Sequence, residues 1–411
     1  MAVVPESASP AAAIHARLRD RTTAMVDQLA DLVRIETPSS DLAACAAGIE
    51  VVRQIAAAVI GDGGEPVVSD GRTHVRWRMP AAPGRQPIAL IGHVDTVWPL
   101  GTLARWPFAV DDAGGTATGP GCFDMKAGIV QLLHAVAALP DPVGLEILIT
   151  SDEEVGSPTS RSLIEEVARM SAAALILEPS HGGALKIGRK GTGFYRLDVA
   201  GKAAHAGLEA EKGANALVSL ADVIGRVGAI ARPAAGTTVT PTLAAAGTAA
   251  NVVPASAHAD IDVRVAEPSE ADRVDNEMRA LATTVAGTTL TVSGGPNRPP
   301  LPATASEALF ELARMAANDL GFRALDGVFV GGGSDGNFTA AVGCPTLDGL
   351  GALGGGAHAE GEHVDIDAMP QRAALLAAII ERVRSGPYGS ADGPRLAGRE
   401  RRRGSPAHGS T

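Results

Sequence analysis

Two hydrophobic periodicities alternate along the first half of the chain. Residues 15–35 place apolar side chains at helical spacing and stop at Thr37-Pro38, because the residue before a proline disfavours helical backbone. Residues 42–60 repeat that spacing and end at Gly61-Asp62-Gly63-Gly64. Short apolar runs at 73–79 and 88–92 predict strands, the second apolar throughout, as in a strand buried on both faces. A helix over 125–139, a strand over 145–150, a helix from near Pro158 and a strand over 172–177 follow. Strand and helix in this order predict an α/β fold around a mixed, mostly parallel sheet, with any ligand at the carboxyl ends of the strands.

The texture changes near Lys190. Period-two runs at 195–200 and 257–265, with helical patterns at 215–230 and 269–286, predict an inserted α+β domain that leaves through a Gly- and Pro-rich loop at 294–300. The α/β pattern then resumes and ends in a helix over 369–384. The expected organisation is a first catalytic part at 10–189, the insertion at 190–298, a second catalytic part at 299–385 and a disordered tail at 386–411, rich in Gly, Pro, Ser and Arg.

Composition narrows the functional classes. With 35 basic and 46 acidic residues among 411, the chain carries a formal charge of -11, which argues against a nucleic-acid partner and for a small-molecule or peptide one. The three cysteines, Cys45, Cys122 and Cys344, are widely spaced and form no CxxC, so neither a disulfide framework nor a thiolate zinc site is expected. The first residues lack a basic segment followed by an apolar core, and no run reads as a membrane span. A cytoplasmic protein without a membrane partner is the expectation.

Chemistry concentrates at the predicted strand ends. His93 and Asp95 follow the run 88–92, Asp124 stands at a loop-to-helix junction, Glu153 and Glu154 follow the strand 145–150, Glu178 follows 172–177, and His358 lies in a late glycine-rich turn. Imidazole and carboxylate donors together suit zinc. One carboxylate bridging two ions leaves each with one His and one further Glu, and three carboxylates with a hydroxide balance two divalent charges. Adjacent side chains leave the backbone in different directions, so with Glu154 as a ligand Glu153 is free to be the general base. Asp95, two residues from His93, is placed to hold the imidazole in its metal-binding tautomer. The turn 331–334, with Gly332 inside it, offers close backbone approach to a ligand.

The segments HVDT, GPGCFDMKAG, SDEEVGS, LEPS, GKAAHAG, NVVP, DVRV, GGGSDGN and GGGAHAEGEHVDI, in this order, resemble the glutamate carboxypeptidases of the di-zinc aminoacylase and carboxypeptidase family. The resemblance implies a zinc-peptidase-type catalytic domain with a ferredoxin-like insertion serving dimerisation and closure. By it, Asp124 bridges two Zn2+ ions (Co2+ or Mn2+ as substitutes), His93 and Glu178 complete one site, and Glu154 and His358 complete the other. It also implies a cis Asp124-Met125 peptide, a homodimer in which His205 stabilises the oxyanion in the partner's site, and substrate binding by Asn251, Arg264 and Arg298. The implied reaction releases a C-terminal amino acid, glutamate in the favoured reading, from a peptide-like or N-acylated substrate with a free carboxylate.

Met125 stands where carboxypeptidase members often carry a second Asp and where aminoacylases and desuccinylases frequently carry Met, so an N-acyl-amino-acid deacylase is the alternative. A metal-free scaffold on the same fold is the remote one. His134, His258 and His363 read as structural histidines, His181 is open to either role, and Cys122 is a poor ligand among hard carboxylates.

Overall fold

The computed structural model describes residues 10–111 and 113–386, so the expected tail lies, from residue 387 on, outside the described residues. A six-stranded sheet organises the larger unit, in the order Glu65–Ser69, Arg72–Met79, Leu145–Thr150, Ile88–His93, Ala173–Ile176, Thr346–Leu347. The first two strands pair antiparallel, Arg72–Met79 pairs antiparallel with Leu145–Thr150, and the remaining pairs are parallel. Alternation sorts the central strands into two cores. Ile88, Leu90, Leu145, Ile147, Ile149, Ala173 and Leu175 face the larger core, whereas Ala89, Ile91, Leu148, Ala174 and Ile176 face the smaller one.

Helices Leu42–Ile60, Ala127–Ala138 and Ala368–Ser385 supply buried residues to the larger core, and Arg161–Met170 with Asp335–Ala341 cover the other face. Leu42–Ile60 starts where the Asp41 carboxylate accepts from the Ala44 N–H and ends at Gly61 with φ 77°, a left-handed cap. At 19 residues this helix is long and apolar enough to cross a membrane by length and composition, which corrects the expectation that no run reads as a span. It carries Cys45, Ile49, Val52 and Ile55 into the core beside strand Arg72–Met79.

Two further expectations are corrected. The helical run 15–35 is two helices, Pro10–Arg19 and Thr22–Val33. The Thr22 hydroxyl donates to the Arg19 carbonyl and competes with the backbone ladder where the helix breaks. The segment 294–300, read as a loop, is strand as far as Arg298, because Thr289–Arg298 pairs along Gly191–Ala200. Gly294, at φ 83°, makes that pairing possible: a Cβ there would lie 2.1 Å from the Phe194 carbonyl oxygen.

Residues 191–298 form a separate antiparallel sheet, ordered Thr238–Ala246, Ser256–Val265, Gly191–Ala200, Thr289–Arg298. With helices Ala216–Val227 and Pro268–Arg279 the chain order is β-α-β-β-α-β, the ferredoxin-like arrangement. This unit has its own core around Leu197, Leu220, Val223, Ile261 and Val274. Arg298, its last strand residue, lies at the junction with the larger unit and is buried there.

Candidate metal centre

The three adjacent parallel strands end together, and each end contributes. His93 is the last residue of its strand, opposite Thr150, and Glu178 comes two residues after Ile176. Beyond Thr150 the chain turns, and the backbone N–H groups of Glu153 and Glu154 both donate to the Asp95 carboxylate at 3.2 Å, joined by the Ser39 hydroxyl at 2.7 Å. Asp95 therefore ties the end of one strand to the turn after its neighbour. Its hold on His93 differs from the expectation: the imidazole Nδ1 donates to the Asp95 backbone carbonyl at 3.0 Å, while the carboxylate stands at 3.5 Å. Either contact places the ring proton on Nδ1 and leaves the Nε2 lone pair free.

That Nε2 lies 3.4 Å from Asp124 Oδ1 and 3.5 Å from Glu178 Oε1. On the other side of Asp124, Oδ2 is 3.5 Å from His358 Nε2, which is 3.2 Å from Glu154 Oε2. The two oxygens of Asp124 thus face different histidines. His93 Nε2 and Asp124 Oδ1 are buried and have no hydrogen-bond partner among the described residues, an arrangement that costs about 1–3 kcal/mol per group unless something else satisfies them. Cations between the donors would do so, and the donor set fits zinc. His93, Glu153 and Glu178 also offer ligand atoms within 4.8 Å of one another, so Glu153 stands beside the first of the two positions. The Asp124-Met125 peptide is cis.

The protonation preferences have the same origin. Burial alone would depress His93, but Asp124, Asp95 and Glu178 outweigh it and push its pKa well above the usual imidazole value. Hydrogen bonding to Glu154 raises His358 to about 9. Burial raises Glu153 and Glu154, whereas for Glu178 burial is more than reversed by His93, Arg189 and Lys186, which hold it below the usual carboxylate range. The cluster attracts cations, protons included.

Three groups that the sequence reading missed brace it. The Arg189 guanidinium reaches Glu178 Oε2 at 3.3 Å and is itself gripped by both oxygens of Asp348, at 2.7 and 2.9 Å. The Glu362 carboxylate accepts the N–H groups of Gly121, Phe123 and Asp124 and the indole N–H of Trp98. A signal for Glu362 was present: an acid four residues after His358, flanked by Gly361 in a turn otherwise poor in side chains. Nothing local marked Arg189 or Asp348.

Arg298 also differs from expectation. Expected on the substrate, it is buried and donates from Nη2 to Glu153 Oε1 at 3.0 Å and from Nη1 to Asp335 Oδ1 at 2.9 Å. Gly332 turns its carbonyl to Arg189 at 3.0 Å.

The remaining candidates stay in the inserted unit. His205 is exposed, and its Nδ1 accepts from the N–H groups of Gly207 and Leu208, which leaves the proton on Nε2. A bridge between His205 and Val252 and a bond from Ala206 N–H to the Asn251 carbonyl bring His205 and Asn251 together. Arg264 is bidentate to Asp262 at 2.8 and 2.7 Å. Among the described residues no hydrogen bond or ion pair joins His205, Asn251 or Arg264 to the cluster of His93 and His358.

The chain is 32% identical over 388 residues to carboxypeptidase G2 of Pseudomonas sp. (strain RS-16), covering 88% of this chain and 89% of that protein. It is 28% identical over 323 residues to the succinyl-diaminopimelate desuccinylase of Caulobacter vibrioides, covering 72% and 81%. A tripeptidase from Staphylococcus aureus shares the fold with a TM-score of 0.69 at 21% identity, over 89% of this chain and 99% of that one. The profile of peptidase family M20/M25/M40 matches residues 89–382, the span from the His93 strand to the last helix, and on that match the chain belongs to this family of metallohydrolases.

Proposed function

We propose that the protein is a di-zinc amidohydrolase that releases a C-terminal amino acid, glutamate in the favoured case, from peptide-like or N-acylated substrates. The observation that carries the reading is the buried His93 Nε2, without a hydrogen-bond partner among the described residues yet facing Asp124 and Glu178, with a second histidine across the same Asp124. In this reading His93, Asp124 and Glu178 hold one ion and Asp124, Glu154 and His358 the other. The ions would supply Lewis acidity toward the amide carbonyl and lower the pKa of water. Glu153 takes the proton of the attacking water and returns it to the departing nitrogen, while Asp95 fixes the turn that carries it.

Arg264, near the end of strand Ser256–Val265 and paired with Thr238, supplies a guanidinium fork for the substrate carboxylate after exchanging Asp262 for it. His205, with its proton on Nε2, donates to the developing oxyanion. Because among the described residues no hydrogen bond or ion pair joins either to the cluster, the reading includes a homodimer in which the inserted unit reaches the partner's site. The exposed edge strand Thr238–Ala246 and the exposed Leu217, Val218 and Leu243 support such an interface. We place the protein in the cytoplasm on the strength of its three free, buried thiols.

A second reading, an N-acyl-amino-acid deacylase, is favoured by Met125 and by the desuccinylase relative. Amino-acid release from N-acyl-glutamates, Glu-terminated peptides, N-acetyl amino acids and N-succinyl amines separates the two. Preference for the first two groups supports the carboxypeptidase; turnover confined to the others overturns it. Loss of all turnover on chelation, with recovery on zinc, is expected in either case.

A further inference from the structure

Asp335 opens the helix Asp335–Ala341 and is 2% exposed. Its Oδ1 accepts from Arg298 Nη1 at 2.9 Å and from the Ser157 hydroxyl at 2.5 Å, and its Oδ2 from the Thr150 hydroxyl at 3.3 Å. Arg298 Nη2 donates in turn to the Ser157 oxygen at 3.0 Å, to the Glu153 carbonyl at 2.8 Å and to Glu153 Oε1 at 3.0 Å. The guanidinium lies over the Phe338 ring, 4.8 Å from its centroid, on the helix that Asp335 begins. An arginine fixed across its face by an aromatic ring and along its edge by two carboxylates has little freedom left. At the Glu153 carboxylate this network engages Oε1 alone, and among the described residues Glu153 Oε2 accepts no hydrogen bond.

We propose that Asp335 is a positioning residue for the hydrolysis: it holds Arg298 so that Glu153 is tied through Oε1 and keeps Oε2 free for the proton. Arg298 then serves the base and not the side chain of the released amino acid. The inference rests on the reading of Glu153 as the base.

Asp335→Asn keeps the shape and removes the charge. With two metals still bound, kcat should fall roughly ten- to a hundred-fold, the usual range for residues that orient a metal site, while KM stays within about threefold. The loss should be equal for substrates releasing glutamate and for those releasing alanine. An unchanged kcat overturns the proposal, as does a rise in KM confined to glutamate substrates, which would assign Arg298 to the substrate. Should Asp335→Asn fail to fold, Ser157→Gly removes the hydroxyl shared by Asp335 and Arg298 at a position whose φ of 56° glycine adopts freely, and the same split is expected. A crystal structure of the zinc-loaded variant reads the geometry without turnover: a Glu153 carboxylate in its original place overturns the proposal. Failure of the unaltered protein to hydrolyse any amide would defeat the peptidase reading alone, and the crystal structure would still decide whether Asp335 positions Glu153.

Discussion

Glu362 has no ligand role in the proposed site, yet four donors converge on its carboxylate at 2.8–3.0 Å, three of them backbone N–H groups of the loop ending in Asp124. Because it follows His358 by four residues, this one carboxylate joins the loops that carry two of the ligands. In Glu362→Gln an amide nitrogen must face a donor, so zinc affinity should fall about ten- to a hundred-fold in a folded protein, as read by competition with a chromophoric chelator. Glu153→Gln should do the opposite: both ions retained by metal analysis, with turnover reduced by at least two to four orders of magnitude. Loss of an ion would make Glu153 a ligand. Away from the site, burial and then Arg21 depress His134 to about 4. A histidine whose folded pKa lies below its unfolded value near 6.5 adds stability above 6.5 and loses it as pH falls toward 4. The loss, discounted for solvent screening, is about 2 kcal/mol. Urea midpoints at pH 7 and pH 5 should therefore differ more for the unaltered protein than for His134→Gln.

At the scale of elements the candidate ligands depend on close helix-to-strand contact. Gly128, near the start of Ala127–Ala138, lies under the chain that leads to Glu178: a Cβ there would meet the Leu177 carbonyl oxygen at 2.4 Å. Gly128→Ala should push the helix and that strand end apart, costing about 1–3 kcal/mol in a denaturant titration and lowering bound zinc in the same sample. Retained zinc with lowered stability would show that the ligand loop tolerates the shift. Four strands of the main sheet were legible in the sequence to within a residue, because runs such as 88–92 are apolar on both faces and bounded by polar residues, whereas the edge strands Glu65–Ser69 and Thr346–Leu347 were not read. The break at Asp20-Arg21, where the Thr22 hydroxyl donates to the Arg19 carbonyl, left no mark in the periodicity, and the strand through Gly294 and Pro296 was hidden by residues that normally mark loops.

For the whole molecule the question is how the inserted unit meets the cluster. If His205 acts in the partner's site, mixed dimers of His205→Ala and Glu153→Gln chains contain one site with an intact Glu153 and an intact His205, and activity should return on reassembly. Demonstrated heterodimers without activity would place His205 in its own chain's site or outside the chemistry. The junction at Arg298 bears on the same question, because the last residue of the inserted sheet holds Glu153 directly.

The amino-acid sequence by itself determined the alternation of strands and helices, the inserted α+β unit and the set of donors at the strand ends, because these follow from periodicity, turn chemistry and ligand type over short stretches. The tertiary structure alone decided what surrounds those donors. Arg189, Asp348, Asp335 and Glu362 come from separate strands, helices and turns; the first three are buried beside opposite charges distant in sequence, and Glu362 beside backbone N–H groups and an indole N–H that only folding brings to it. Arg298, which the resemblance assigns to substrate, is taken up by Glu153 and Asp335, 145 and 37 residues away, since a buried charge persists only where folding brings its partner.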